Sequence, residues 1–313
     1  MPSALHTAAD ALIKKIQRSP LYYKKYNNTL SFRINKAYVS YARECSDAYA
    51  AKHGPWTMPP SALFHDPAIA FHGAFPAEKA RAYSAKISDL IKREDACIYH
   101  PLPEHGGSSM VTIKSPLKTL GADLLDVLRF PDVHRSLLQF FRGNYRANGA
   151  IAWRSFPTDQ KDCSSWLWHS DTYPPHTCKL FVHLTAANTE LGATEFMNRE
   201  DTMAYRRAGY FGQYGNERRS DLDVFAKEHG LPYRPIHIDV EAGDATLFNS
   251  NFFHRAIHPK NGFRDVVQFL LLPSPTPWEE EYARDPERLL SAEGGYPKDP
   301  RLVTSSAGPS AMM

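Results

Sequence analysis

Cysteine is scarce and its spacing is unhelpful. The chain has four, Cys45, Cys97, Cys163 and Cys178, in 313 residues. None forms a C-x-x-C pair, so no disulfide framework or zinc ribbon is indicated, and free thiols in a reducing cytosol are the simplest account. Long hydrophobic runs are missing as well. No stretch approaches the roughly 18 to 20 apolar residues that span a bilayer. Residues 1–19 contain no apolar core of the kind a secretory signal needs. Charge of one sign is also lacking. The 37 Lys and Arg nearly balance 34 Asp and Glu, leaving +3, and no basic stripe with interleaved aromatics appears. Nucleic acid is therefore not an expected partner. Internal repeats and low-complexity blocks are absent. These exclusions leave a cytoplasmic globular protein with a small-molecule ligand and no membrane or nucleic-acid partner. They say nothing of its oligomeric state.

What is present is an ordinary globular composition, 42% hydrophobic and 23% charged, in a chain long enough for a substantial core. Residues 3–19 and 29–52 carry apolar positions at helical spacing, such as Leu12, Ile13 and Ile16. Residues 53–76 are rich in Pro and His and read as irregular. Pro76 suits a helix start, and the helical pattern then runs to Lys92. The segment 101–117, with Pro101, Pro103 and Gly106-Gly107, reads as a loop. Leu120 to Phe141 is helical again, with a break near Pro131.

The pattern changes after Asn144. Ala150 to Phe156, Lys179 to Thr185 and Pro235 to Val240 read as strands. Gly243-Asp244 marks a turn into Ala245-Thr246-Leu247-Phe248. Arg264 to Leu272 is a long apolar run that stops at Pro273. Helices first and strands later predict one α+β domain, with enough strands for a closed or double-sheet barrel of the jelly-roll kind. The expected catalytic domain spans residues 1–283, with a helical N-terminal region over residues 1–143 and a jelly-roll core over 144–275. A lid-like insertion is expected at 198–232. The tail 284–313, rich in Pro, Gly and Ser, is expected to be mobile or draped on the surface.

The chemistry-bearing feature is Trp168-His169-Ser170-Asp171, an H-x-D pair, with His254 far downstream in Asn251-Phe252-Phe253-His254-Arg255. Residues i and i+2 of a strand share a face, so His169 and Asp171 project together while Ser170 turns away. Two imidazoles and a carboxylate on one side of a metal leave the opposite positions open, which suits a non-haem Fe(II) centre handling O2. Arg264 follows His254 by ten residues and enters a buried strand. A buried guanidinium demands an anionic partner, and its fixed fork takes a carboxylate bidentately.

In combination these residues resemble the Fe(II)/2-oxoglutarate dioxygenase superfamily. The details are most similar to its phytanoyl-CoA dioxygenase-like branch. The motifs are His169-x-Asp171, Gly243-Asp244 opening a strand that reaches His254-Arg255, and Arg264 ten residues on. The resemblance covers roughly residues 140–275. It implies a double-stranded β-helix, a cupin-like barrel buttressed by the N-terminal helices. It implies that His169, Asp171 and His254 bind iron and that Arg264 pairs with the C5 carboxylate of 2-oxoglutarate. The implied reaction is C–H oxidation of a specialised metabolite by O2, with 2-oxoglutarate yielding succinate and CO2. Asp171 favours hydroxylation over halogenation, since iron halogenases of this type replace that carboxylate with a small residue. Desaturation, ring closure and epimerisation use the same ligands. A 2-oxoglutarate-independent cupin-type metalloenzyme and a non-catalytic binding barrel are the other classes. The chain departs from the branch over Leu191 to Arg199, where only Gly192 is kept, so its substrate contacts have to be read from its own residues.

Several neighbours invite a role. His258 is the rival third ligand, and the spacing from His254 to Arg264 favours His254. Trp153, Arg154 and Trp168 are candidate substrate contacts. His183 and His237 fall in strand patterns and read as structural. Lys179 reads either as a partner for an acidic group or as a solvated side chain, and Tyr173 to His176 form a stiff loop at the site's edge. Arg206, Arg207, Arg218 and Arg219 on the insertion are candidates for attracting an anionic substrate.

Overall fold

The computed structural model describes residues 4–101, 109–159 and 163–302. Gly106 and Gly107 of the expected loop, and the tail beyond 302, lie outside that set. The first helical stretch is α1 (Ala4–Gln17), divided from a further helix that the pattern does not announce, α2 (Pro20–Tyr26); α3 (Phe32–His53) follows. Ser19 explains the division. Its side chain caps α2 by accepting from the Tyr22 N–H, and Pro20 fits the first turn of the new helix. β1 (Ala68–Phe71) comes next, then α4 (Ala77–Lys92), which begins directly after Pro76. β2 (Ile98–Tyr99), β3 (Met110–Ile113) and α5 (Pro116–Thr119) follow. A 3-10 run over Ala122–Arg129 and then α6 (Pro131–Phe141) place the helix break at Pro131, as expected.

From β4 (Tyr145–Ser155) the chain winds between two sheets. β5 (Cys178–His183) is followed by β6 (Thr194–Phe196), α7 (Arg199–Arg207), α8 (Leu222–His229) and β7 (Ile236–His237). β8 (Ala245–Phe248), β9 (His254–Ala256), β10 (Arg264–Pro273), α9 (Trp278–Arg284) and α10 (Pro286–Ser291) complete it. The large sheet has seven strands in the order β1-β8-β5-β10-β4-β3-β2. The small sheet has the order β7-β6-β9, and His169 adds a further rung by bridging to His254. Every pairing is antiparallel. After β4 the chain visits the small sheet at His169, the large at β5, the small at β6 and β7, the large at β8, the small at β9 and the large at β10. That alternation is a double-stranded β-helix, here with the large sheet left open.

The N-terminal region departs from the all-helical expectation. It supplies β1, β2 and β3, which extend the large sheet at both edges. β1 lies in the segment expected to be irregular, and its four residues pair with β8, far away in sequence. Local pattern carries no trace of such a partner.

The two faces of the large sheet do different work. One face, with Val267, Phe269 and Leu271 of β10 and Leu180 and Val182 of β5, packs on Ile87 of α4 and Leu137 and Phe140 of α6 in the main core. The other face, with Phe181, Phe248 and Val266, meets Phe196 of the small sheet inside the barrel, with Trp153 packed against it. Burial on both faces is why β10 reads as an apolar run rather than a strict alternation. Adjacent residues Arg264 and Asp265 therefore point in opposite directions. Asp265 enters the helix layer. There Arg154 Nη2 and Nε donate to its oxygens at 2.6 and 2.7 Å, and the Ser84 hydroxyl at 2.6 Å.

The insertion 198–232 is not a loose flap. Tyr205, Tyr210, Leu222 and Phe225 pack with Trp168, Met197 and Phe253 to build a second core on the outer side of the small sheet. The tail up to residue 302 is likewise anchored. Leu289 joins the main core. The Tyr296 hydroxyl lies 2.9 Å from the Cys178 carbonyl, and the Tyr38 hydroxyl donates to the Pro297 carbonyl at 2.6 Å. Of the two expectations for the tail, mobile or draped on the surface, the described residues 284–302 match the second, because Leu289 and Tyr296, spread among the Pro and Gly residues, are both buried.

Candidate metal centre

His169 and Trp168 are neighbours on a strand, so they face opposite ways: Trp168 into the outer core and His169 into the barrel. The His169 N–H donates to the His254 carbonyl at 3.0 Å, and the His254 N–H returns the bond at 2.8 Å. This reciprocal pair brings the two rings to a centroid separation of 4.3 Å. Asp171, two residues on, is fixed by its N–H donating to Ser250 O at 2.9 Å. One ligand atom from each of the three residues lies within 4.8 Å of the others. His169 Nε2 is 3.8 Å from Asp171 Oδ1, and His254 Nε2 is 3.6 Å from Asp171 Oδ2.

The tautomers follow from the backbone. His169 Nδ1 lies 2.8 Å from Leu167 O, and His254 Nδ1 lies 2.9 Å from Phe252 O. A carbonyl only accepts, so both Nδ1 atoms carry the hydrogen and both Nε2 lone pairs face the cluster. Such outer bonds orient metal-binding histidines. Burial lowers the pKa of both rings, His254 to about 4, so they stay neutral near pH 7. Burial alone would raise the Asp171 carboxyl. The Lys179 ammonium, 2.6 Å from Oδ2, outweighs it and holds the carboxyl well below the usual range. Two neutral imidazoles and a carboxylate are the protonation states a divalent cation requires. The donor set fits iron in kind and number.

Arg264 begins β10 and is 2% exposed. Its Nη1 donates to Gly192 O at 2.9 Å and Ala193 O at 3.2 Å, and its Nη2 donates to Thr194 Oγ1 at 3.1 Å. All are neutral acceptors. No carboxylate pairs with it among the described residues, and burial lowers its pKa to about 10. A small cleft lined by Phe181, His183, Thr194, Phe196, Ile238 and Thr246 lies inside the barrel. Two of its lining residues touch the groups around it: Thr194 Oγ1 accepts from Arg264, and the Phe196 ring is stacked on His254 with centroids 6.5 Å apart. The cleft holds about 10 Å³, room for roughly one water.

The other candidates separate clearly. His258 stacks on Trp166 with ring centroids 3.6 Å apart and is not part of the cluster. His183 Nε2 lies 3.0 Å from Thr246 Oγ1, and His237 is exposed. Trp153 lies on the inner face, its ring 5.6 Å from Phe181. Arg154 and Trp168 are turned out of the barrel, Arg154 into its ion pair with Asp265 and Trp168 into the outer core. Of the three candidate substrate contacts, these two sit one residue out of phase with the inner face and Trp153 sits in phase with it. Phe196, Thr194 and Phe248 escaped sequence reasoning. The only signal for them is the register Phe196↔His254, which requires knowing that β6 pairs with β9.

No protein-family model matches the chain, and no curated protein is similar to it in sequence. Solved structures resemble it at a distance. The non-haem α-ketoglutarate-dependent epimerase SnoN of nogalamycin biosynthesis shares 14% identity, covering 75% of this chain and 84% of its own, with a TM-score of 0.44. HygX from Streptomyces hygroscopicus, solved with nickel and 2-oxoglutarate, shares 13%, covering 67% and 84%, at 0.45. EctD from S. alaskensis, in its apoform, shares 18%, covering 70% and 79%, at 0.48. At these scores the likeness is too loose to transfer a residue or a substrate.

Proposed function

We propose that this protein is a non-haem Fe(II)- and 2-oxoglutarate-dependent oxygenase. In this reading it hydroxylates a small-molecule metabolite at a C–H bond, using O2 and converting 2-oxoglutarate to succinate and CO2. The observation that supports it is the pairing of two features in one barrel. Three metal donors converge with the right tautomers, and a buried guanidinium without a carboxylate is held by Thr194, two residues along the strand from Phe196, which stacks on His254.

The chain's own residues divide the work. His169 and His254 bind through Nε2. Asp171 binds through Oδ1, while Lys179 holds Oδ2. Arg264 takes the far carboxylate of 2-oxoglutarate, helped by the Thr194 hydroxyl. Bound iron supplies the O2 chemistry. Phe181 and Phe196 wall the cleft and exclude water. The intact Asp171 argues for hydroxylation over halide transfer. A 2-oxoglutarate-independent metalloenzyme would leave the Arg264 charge uncompensated in the barrel.

The test is anaerobic titration of the protein with Fe(II) and 2-oxoglutarate. A weak visible charge-transfer band should appear only with both, and succinate should form on admission of O2. A protein that binds no Fe(II), or that binds it without a response to 2-oxoglutarate, would refute the assignment.

A further inference from the structure

The insertion carries four arginines, and the structure sorts them. Arg206 is buried, its Nη2 donating to Asn251 O at 2.6 Å and its guanidinium 4.3 Å from the Tyr23 ring. Arg207 is exposed at the end of α7. Arg219 pairs with Asp221 at 2.9 Å. Arg218 has no such arrangement. Its hydrogen bond to the Gln213 carbonyl is long, 3.4 Å, and its buried Nε has no partner. Among the described residues no carboxylate forms an ion pair with it.

Strand register gives its direction. The segment from Gly212 to Arg219 runs beside the H-x-D strand. Ser170 N–H donates to Gly212 O at 3.3 Å, and Trp168 N–H donates to Arg219 O at 2.8 Å. Gly212 has a φ of +58°, and a Cβ there would lie 3.1 Å from Trp168 O, so the approach needs glycine. Trp168 and Arg219 are antiparallel bridge partners. Since Trp168 faces the outer core, so does Arg219. Arg218, the residue before it in extended backbone, is turned the other way, towards the inner face. Its charge is felt by His169, Tyr173 and Asp171. Gln213, 3% exposed, stands beside it. Its Oε1 accepts from the Thr29 hydroxyl, and its amide nitrogen has no partner.

Across the inner face of the small sheet the order is then Arg218, His169, His254, Phe196. Phe196 and Thr194, the partner of Arg264, both lie on β6 and both line the cleft. Arg218 stands at the other end, across the metal centre from the cosubstrate's guanidinium. We propose that Arg218, with the Gln213 amide, binds a carboxylate of the substrate to be oxidised, so that this enzyme acts on acidic metabolites. The inference rests on the Fe(II)/2-oxoglutarate reading and adds the substrate class to it.

The experiment uses the full chain loaded anaerobically with Fe(II) and 2-oxoglutarate. The probes are benzoate, hexanoate and N-acetylphenylalanine, each against its neutral carboxamide. Binding is read from perturbation of the charge-transfer band and by calorimetry. Appearance of the band in the wild type, before any probe, establishes the underlying reading separately. At least one acid should then bind about tenfold or more tightly than its amide, the size of one charge-assisted hydrogen bond. Arg218→Gln should abolish that preference and leave 2-oxoglutarate affinity within about twofold. Arg218→Lys, which keeps the charge, should retain some of it and guards against misfolding of the first variant. Equal binding of acids and amides by the wild type would overturn the proposal. So would loss of 2-oxoglutarate affinity in Arg218→Gln, because Arg218 would then belong to the cosubstrate.

Discussion

Arg264 and Arg154 are both guanidiniums buried in one domain, and their surroundings give them opposite consequences. Arg154 has Asp265, while Arg264 has only neutral oxygens. We expect Arg264→Ala to weaken 2-oxoglutarate binding by about 30-fold or more, the cost of losing a charge-assisted carboxylate contact, with Fe(II) affinity within about threefold. Calorimetric titration of each ligand checks this, and equal losses for both would count against the assignment. His183 makes a second case. Burial first, and the Arg264 charge next, lower its pKa from 6.5 to about 3. The unfolded chain therefore takes up a proton that the native state refuses, and His169, His254 and His176 shift the same way. Stability is complete above about pH 6.5 and falls as pH drops towards 3. Thermal midpoints of the metal-free protein should decline over that window, and His183→Gln should flatten the decline. An unchanged slope in the variant would show that His183 is not a contributor.

At the scale of the element, β10 shows what a strand contributes beyond its hydrogen bonds. It delivers Arg264 inward and Asp265 outward in successive residues. Arg154→Ala should destabilise the fold by about 3 to 5 kcal/mol, since it strands a buried carboxylate. Replacing both partners, as in Arg154→Met with Asp265→Leu, should recover most of that loss. Urea unfolding measures both, and a mild single variant with a severe double one would contradict the account. The same strand shows what was legible in the sequence. The apolar run from Arg264 to Pro273, the Pro131 break and the Gly243 turn were all readable, because each is a local property. Gly243 has a φ of +95° and would drive a Cβ to within 2.4 Å of Phe75 O. His169, Asp171 and His254 were readable because the donor types and spacings are restrictive. The facing of Arg154 and Trp168 was not. A one-residue change of phase swaps inside for outside, and the phase is set by partners in other segments. β1 was missed for the same reason.

At the scale of the whole molecule, the tail and the insertion turn out to be structural layers. Truncation after Asp285 removes Leu289 and Tyr296, each nearly fully buried. At roughly 1.5 to 3 kcal/mol per buried large apolar side chain, the shortened protein should melt several degrees lower and be cleaved faster by protease. An unshifted midpoint would mean that the tail is decoration. The insertion invites a different thought. The spacing of the two histidines is dictated by a ladder of main-chain bonds between His169 and His254, and the insertion braces that ladder through Gly212 against Trp168 and through Thr202, which accepts from the Phe253 N–H. Arg218 is no part of either brace. A foreign module that kept Gly212 and Thr202 should therefore leave the engine beneath with its timing intact while presenting a different face to whatever approaches it.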